Sequence, residues 1–462
     1  MKKILFWLLV MVLSVSIVSV FSLTGCKEEP AGEETTEETT EEPAEEEMEE
    51  AEEEEMEEET AEEVVPKDEP VNIILFADIL VPAMEEMFEK FTEETGWPVE
   101  LEPVPGGQDF FNIVPTRLAS GEGPDILIAH GTPLEYILYN PANNFVDFTD
   151  YSMENIADIK VPMAIIEANA VNGKNYGIPF GPITLRGYYY NKNVMEAAGV
   201  ELPTSCTDFL ENVAPKIREA GFDPIYGMLQ DGWGLGMEAE NYVGDEFTTT
   251  DIQEKINNKE ATFADSAFLR AFQWQKDLYE AGYYNDDVLV GTYDGAVEAL
   301  MSGTAFCTML SVNTMGRFSD EANAEYLGGF FMSENSDRAY YSLPHYAYLV
   351  NETAGGDNPE GAMAFFEWFM EEDNLFDYYS SLRTTSAYIG INNEMWPYAQ
   401  DLKAGFDASD PPFTYTLKAS TKQAGTYSSQ VVAGTATPQE AVDQMTTDFT
   451  ESAKAVGLEA YQ

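Results

Sequence analysis

Two histidines, three cysteines and a large excess of carboxylates are the groups in this 462-residue chain that could do chemistry. His130 and His345 have no local partner in the sequence, and a metal site needs clustered ligands at coordinating distance. Metal ligation therefore ranks below a hydrogen-bonding residue at a cleft or a plain loop-edge histidine. Cys206 and Cys307 could pair in an oxidising compartment or stay buried as thiols, and no CxxC spacing points to metal or redox work. The chain lacks GxSxG, HExxH, a P-loop and a complete EF-hand pattern. A glycosidase needs only two well-placed carboxylates, so a secreted carbohydrate-active hydrolase stands as the alternative to a binding protein. Trp233, between Gly232 and Gly234 and just after Asp231, has few sequence neighbours to bury it. It is either packed by the fold or left as a platform for a ligand.

The elements that must position these groups follow from periodicity. Residues 71–77 form a short apolar run suited to a buried strand. Pro82 opens a helix carrying Met84, Met87, Phe88 and Phe91 on one face, closed by Gly96. A strand over 99–104, a helix over 110–119 bent by Pro115, and a strand over 125–129 follow. This order predicts a parallel sheet with right-handed crossovers, and in such sheets ligands sit beyond the carboxyl ends of the strands. Asp78, Gln108, Asp109, His130 and Thr132 fall at that edge. Residues 224–236 read as helix-free and glycine-rich, with a GxGxG run too weak to signal a dinucleotide loop. Residues 265–281 read as an amphipathic helix with Trp274 in the core. A strand over 305–310 leaves Ser311 and Asn313 just past its end. A helix opens at Asn358-Pro359-Glu360, and Thr437-Pro438-Gln439-Glu440 is a capping box opening the last helix.

Lys2-Lys3, an apolar run over 4–23 and Leu23-Thr24-Gly25-Cys26 form a secretory leader. The last four residues resemble a lipobox, at which Cys26 would carry lipid, although the run is also long enough for an uncleaved anchor. From Glu28 to Glu63 there are 22 Glu and no Lys or Arg. Such a segment cannot bury a core and repels itself, so it reads as an extended tether. Removing those 22 charges from the formal net charge of −61 still leaves −39, which excludes a nucleic-acid partner. The roughly 400 residues beyond the tether suffice for two domains.

The stretch 171–209, VNGKNYGIPFGPITLRGYYYNKNVMEAAGVELPTSCTDF, packs several structural changes together. Asn172-Gly173 predicts a tight turn, and Pro179 with Gly181-Pro182 forces an extended crossing. Residues 187–190 read as a buried aromatic strand, 192–198 as a helix closed by Gly199, and 205–208 as a capping box. GKNYGIPF followed by YYYNKNVMEAAGVELPTS resembles the first inter-lobe crossing of the sugar-type bacterial extracellular solute-binding proteins, relatives of maltose-binding protein. SGEGPDI at 120–126 and GTATPQEAVDQ at 434–444 resemble two further signatures of that family.

The resemblance implies an α/β, two-lobed periplasmic-binding-protein fold of type II. Each lobe would hold a mainly parallel sheet flanked by helices, and hinge crossings would join the lobes. It divides the chain into a leader (1–25), a tether (26–69), lobe one (70–182 with 342–384) and lobe two (183–341 with 385–462). It implies a monomer without cofactor or enzymatic activity, anchored outside the cell membrane by lipid on Cys26. Such a protein closes on a solute, foremost a sugar, and delivers it to an ABC transporter permease. Asp78, Gln108, Asp109, His130, Thr132, Asp231, Trp233, Ser311, Asn313, His345 and Arg383 are the expected ligand-binding residues, resting on strand ends and crossings.

Overall fold

The computed structural model describes residues 64–106, 108–131, 137–150, 166, 169–388, 390, 391, 393–410, 412–422 and 424–462. The expectations for the leader, Cys26 and the tether as far as residue 63 lie outside the described residues, whereas at the tether's expected end Lys67 N donates to Gly96 O at 2.8 Å.

Strand β1 (Val71–Phe76) is buried at every position but Asn72. Helix α1 (Pro82–Thr95) buries Met84, Met87, Phe88 and Phe91 at helical spacing and ends on Gly96 at φ 80. Strand β2 (Val99–Val104), helix α2 (Gln108–Ser120) and strand β3 (Ile126–His130) follow. Both β2 and β3 pair with β1 in parallel, as the crossover argument requires. At the expected turn, Val171 and Lys174 exchange both backbone hydrogen bonds. Asn172 and Gly173 there take φ of 53 and 75, the left-handed pair that a tight hairpin needs. Strand β4 (Gly177–Pro179) then leads into the first crossing.

Strand β5 (Thr184–Asn191) enters the second lobe, and helix α3 (Lys192–Ala198) closes on Gly199 at φ 61. The expected capping box at Ser205 is half formed. Ser205 Oγ accepts from Asp208 N at 3.1 Å, but the Asp208 carboxylate turns to Thr204 N. The reading of 224–236 as helix-free is corrected: β6 (Asp223–Ile225) and helix α4 (Trp233–Tyr242) occupy its ends. Glycines 234 and 236 serve close packing, because a Cβ there would strike Met228 and the backbone of Gly425. The lobe continues with α5 (Ile252–Asn257), α6 (Phe268–Glu280), α7 (Tyr293–Ser302), β7 (Ala305–Ser311), β8 (Leu327–Phe330) and β9 (Tyr340–Ser342). Strand β10 (His345–Leu349), α8 (Pro359–Phe369) and α9 (Glu372–Leu382) return to the first lobe. Helices α10 (Pro397–Ala408), α11 (Ala424–Val432) and α12 (Pro438–Ala455) complete the second. The α12 capping box forms as expected, with Thr437 and Glu440 bonded reciprocally and Pro438 at the first turn.

The sheets have strand orders β2-β1-β3-β10-β4 and β6-β7-β5-β8, with β9 also on β5. In each sheet all strands but one share a direction. The reversed strands are β10 and β5, the two that enter a lobe from a crossing, and each runs antiparallel to every neighbour. The mainly parallel expectation thus holds for direction, while interior reversed strands make most second-lobe pairings antiparallel. Alternation splits each sheet between two cores. Ile73, Leu75, Ile126 and Ile128 face α1, α8 and α9, whereas Ile74, Phe76, Leu127 and Ala129 face α2. In the second lobe Tyr188 and Tyr190 enter one core and Tyr189 the other. Cys206 and Cys307 are buried and unpaired.

Candidate functional site

Between the lobes lies a cleft of about 440 Å³, within the range of ligand sites. The first lobe contributes strand ends. Phe76 ends β1, His130 ends β3 and His345 begins β10, so β-pairing sets the histidines side by side with ring centroids 4.8 Å apart. The Phe76 ring stacks on His130 at 4.6 Å, and the tier continues through Phe110. His345 is 5 % exposed, and burial holds it well below the ordinary histidine range, followed by the charges of His130 and Arg186. Among the described residues no cluster of three His, Cys, Asp or Glu could hold a metal.

Asp78 follows β1 and also lines the cleft. Burial raises its carboxyl pKa, as do the charges of Asp231 and Asp294 from the second lobe, while Arg317 opposes them. Gly106 packs against this carboxylate so closely that a Cβ there would force it to shift.

The second lobe contributes a helix face, a strand start and an extended segment. Trp233, Gly236, Met237 and Glu240 of α4 face the cleft. Trp233 is half-buried and meets Tyr293 edge-on at 5.3 Å. Arg186 on β5 sits against Glu240 Oε2 at 3.1 Å and donates to the Tyr340 hydroxyl at 3.1 Å, and that hydroxyl donates to Glu240 at 2.8 Å. The remaining wall is the segment 414–422. Buried Gln253 and Asn257, one turn apart on α5, hold it by alternate backbone groups. Gln253 accepts from Thr416 N at 2.8 Å and donates to Thr414 O at 3.4 Å. Asn257 donates to Thr416 O at 3.0 Å and accepts from Lys418 N at 2.8 Å. The two amides act as a surrogate strand partner for a segment outside the sheet.

Of the sequence-derived residues, Asp78, His130, Trp233, Ser311 and His345 line this cleft. Asp109 is exposed in the first turn of α2, and Asp231 is exposed beside α4, where its carboxylate accepts from Tyr293 N. Thr132 and the side chains of Gln108 and Asn313 lie outside the described residues. Arg383 is not a cleft residue. It adopts φ 51 at the end of α9, stacks its guanidinium 3.5 Å from the Trp396 ring centroid and pairs with Glu394 at 3.0 Å. It therefore fastens the chain where it leaves α9 of the first lobe for α10 of the second. Arg186, Glu240, Tyr340 and the segment 414–422 were missed. Two signals could have exposed them: a charge inside the buried run TLRGYYYN, and the alternation of Phe413, Tyr415, Leu417 and Ala419.

Two lobes joined by crossings, with an aromatic and hydrogen-bonding cleft between them, define the class of two-lobed ligand-binding proteins. Residues 86–404 match the bacterial extracellular solute-binding protein family, and the chain belongs to it. An uncharacterised ABC transporter extracellular-binding protein of Pyrococcus horikoshii is 27 % identical over 126 residues, which is 27 % of this chain and 30 % of that relative. Similar solved structures include a chitin oligosaccharide binding protein at TM-score 0.70 and 18 % identity, covering 83 % of this chain and 99 % of that one. A Bacillus licheniformis sugar transporter structure in complex with stachyose gives TM-score 0.66 and 17 % identity over 82 % and 99 %. A bacterial solute receptor with an exclusive preference for β-D-galactopyranose gives 0.69 and 15 % over 84 % and 99 %. At these identities the likeness establishes the two-lobed fold. Among the described residues no helix is long and apolar enough to cross a membrane.

Proposed function

We propose that this protein captures a carbohydrate in the interlobe cleft outside the cytoplasmic membrane and delivers it to the permease of an ABC transporter. The observation that carries this reading is the make-up of the cleft, where the aromatic side chains of Trp233 and Phe111 stand beside hydrogen-bonding groups at Arg186, Glu240, Tyr340 and Asp78. Sugars present flat apolar faces edged by hydroxyls, and those hydroxyls lose water on burial unless the site replaces it. The sugars named for the similar structures support the same reading. Lipid on Cys26 anchors the folded part, and the 28–63 segment spaces it from the surface. A monomer suffices, because the cleft is built within one chain.

A thermal-shift panel of mono- and oligosaccharides tests the reading, since a ligand at 100 times its Kd stabilises by about 2.7 kcal/mol. The best ligand should be recovered intact after hours with the protein, and its cleavage would replace binding with hydrolysis. Trp233→Ala should weaken that ligand by on the order of 2 kcal/mol, about thirtyfold in Kd, with a smaller loss of stability. Calorimetric titration beside denaturant melts reads both. Affinity unchanged in the folded variant would remove Trp233 from the site.

A further inference from the structure

Arg186, Glu240 and Tyr340 form a closed triangle on the second-lobe wall, with the two charged side chains only 18 % and 20 % exposed. The guanidinium also lies over the Tyr340 ring, 5.3 Å from its centroid. The cleft's other Arg or Lys among the described residues, Lys422, lies 3.7 Å from Asp448. Both cations of the cleft therefore face carboxylates. Given that the ligand is a carbohydrate, as argued above, we propose that this paired wall selects neutral sugars and rejects their uronic acid counterparts, with Glu240 as the residue that decides.

The chemistry is one of matching. A hydroxyl both donates and accepts, and it can bridge a guanidinium N–H and a neighbouring carboxylate oxygen without separating them. A carboxylate ligand only accepts. To use Arg186 it must displace Glu240, and a partly buried carboxylate stripped of its partner is strongly unfavourable. Asp78 across the cleft adds no cation, and the 39 excess negative charges outside the tether set a repulsive field for an approaching anion.

The test is calorimetric titration of cello-, manno- and galacto-oligosaccharides of two to four units against oligomers of the matching uronic acids, with spermidine as a cationic probe. Wild-type protein should bind a neutral member at least one hundredfold more tightly than its uronic counterpart. Glu240→Gln leaves Arg186 without its counter-charge and should narrow that ratio at least tenfold. Tyr340→Phe keeps both charges and should weaken neutral binding while the ratio stands, and it serves equally if Glu240→Gln does not fold. A uronic oligomer that binds wild type as tightly as its neutral partner overturns this inference and leaves sugar capture intact. Tight spermidine binding with no carbohydrate binding, or no binding by any carbohydrate, overturns both.

Discussion

His345 in the first lobe and Glu238 in the second are both buried ionisable groups, and burial drives them in opposite directions. Glu238, 1 % exposed on α4, is raised from 4.5 to about 7, chiefly by burial. It accepts from the Tyr284 hydroxyl at 2.6 Å and Gln275 Nε2 at 3.3 Å, which partly offset the rise. Cys206, Cys307 and Tyr188 complete the titratable groups around it, and all three are driven toward their neutral forms by burial. Folding thus favours the neutral form of each group. For Glu238 that stability is whole below about pH 4.5 and is lost as pH rises through about 7. For His345 it is whole above about pH 6.5 and is lost as pH falls below that. The lobes carry opposite pH slopes across a shared window, and a whole-molecule melt shows their sum together with that of other shifted carboxyls such as Asp78.

The largest expected effect comes from separating those slopes. Glu238→Gln should remove a loss of roughly 3 kcal/mol between about pH 4.5 and 7. Denaturant melts of this variant should then lose less stability with rising pH over that range than wild type does, because the opposite slope of His345 is less opposed. His345→Gln should do the reverse and leave a steeper alkaline loss. Parallel pH profiles for wild type and both variants would erase the contrast.

A smaller effect is expected from the amides behind the second-lobe wall. Gln253→Ala removes two hydrogen bonds to the partly buried backbone at Thr414 and Thr416 and should cost about 2 kcal/mol. Amide exchange at 416 and 418 should quicken and ligand affinity should fall, while exchange along β1 and β3 stays slow. Uniform quickening in both lobes would mean that the wall has no separate anchorage. Smaller still is Thr437→Ala, which removes the α12 cap and should cost about 1 kcal/mol. It lies in the same lobe but away from the cleft, so affinity should hold. A matching loss of affinity would show that Gln253 acts only through lobe stability.

The same contrast explains what the sequence made legible. First-lobe cleft residues sit where short apolar strands stop or, for His345 on the reversed strand, start, and a run such as 71–77 displays its own end, so Asp78, His130 and His345 could be placed. Ser311 was found by the same rule at β7. The second-lobe wall depends on pairings between distant segments: Arg186 with Glu240, and Gln253 and Asn257 with 414–418. Periodicity carries no information about such partners. Trp233 was placed at the cleft for a partly mistaken reason, because the flanking glycines mark tight packing of a helix rather than an open loop. Arg383 failed for a local reason: its left-handed backbone and the Trp396 ring hold it at the crossing.

Strand β10 lies between β3 and β4, although nearly the whole second-lobe sheet intervenes in the chain. The Tyr348 hydroxyl donates to His130 O across 218 positions. An interior slot of the first sheet is therefore filled by a late arrival, and β4 has no neighbour in its sheet until β10 docks. Such distant pairing must meet its loop-closure entropy before any contact forms, which slows folding. A nascent chain can form β1, β2 and β3 early, yet it cannot complete the first sheet until residue 349 has emerged. This strand order is thus a built-in delay before compaction: the first sheet stays open until the strands of the second have been made.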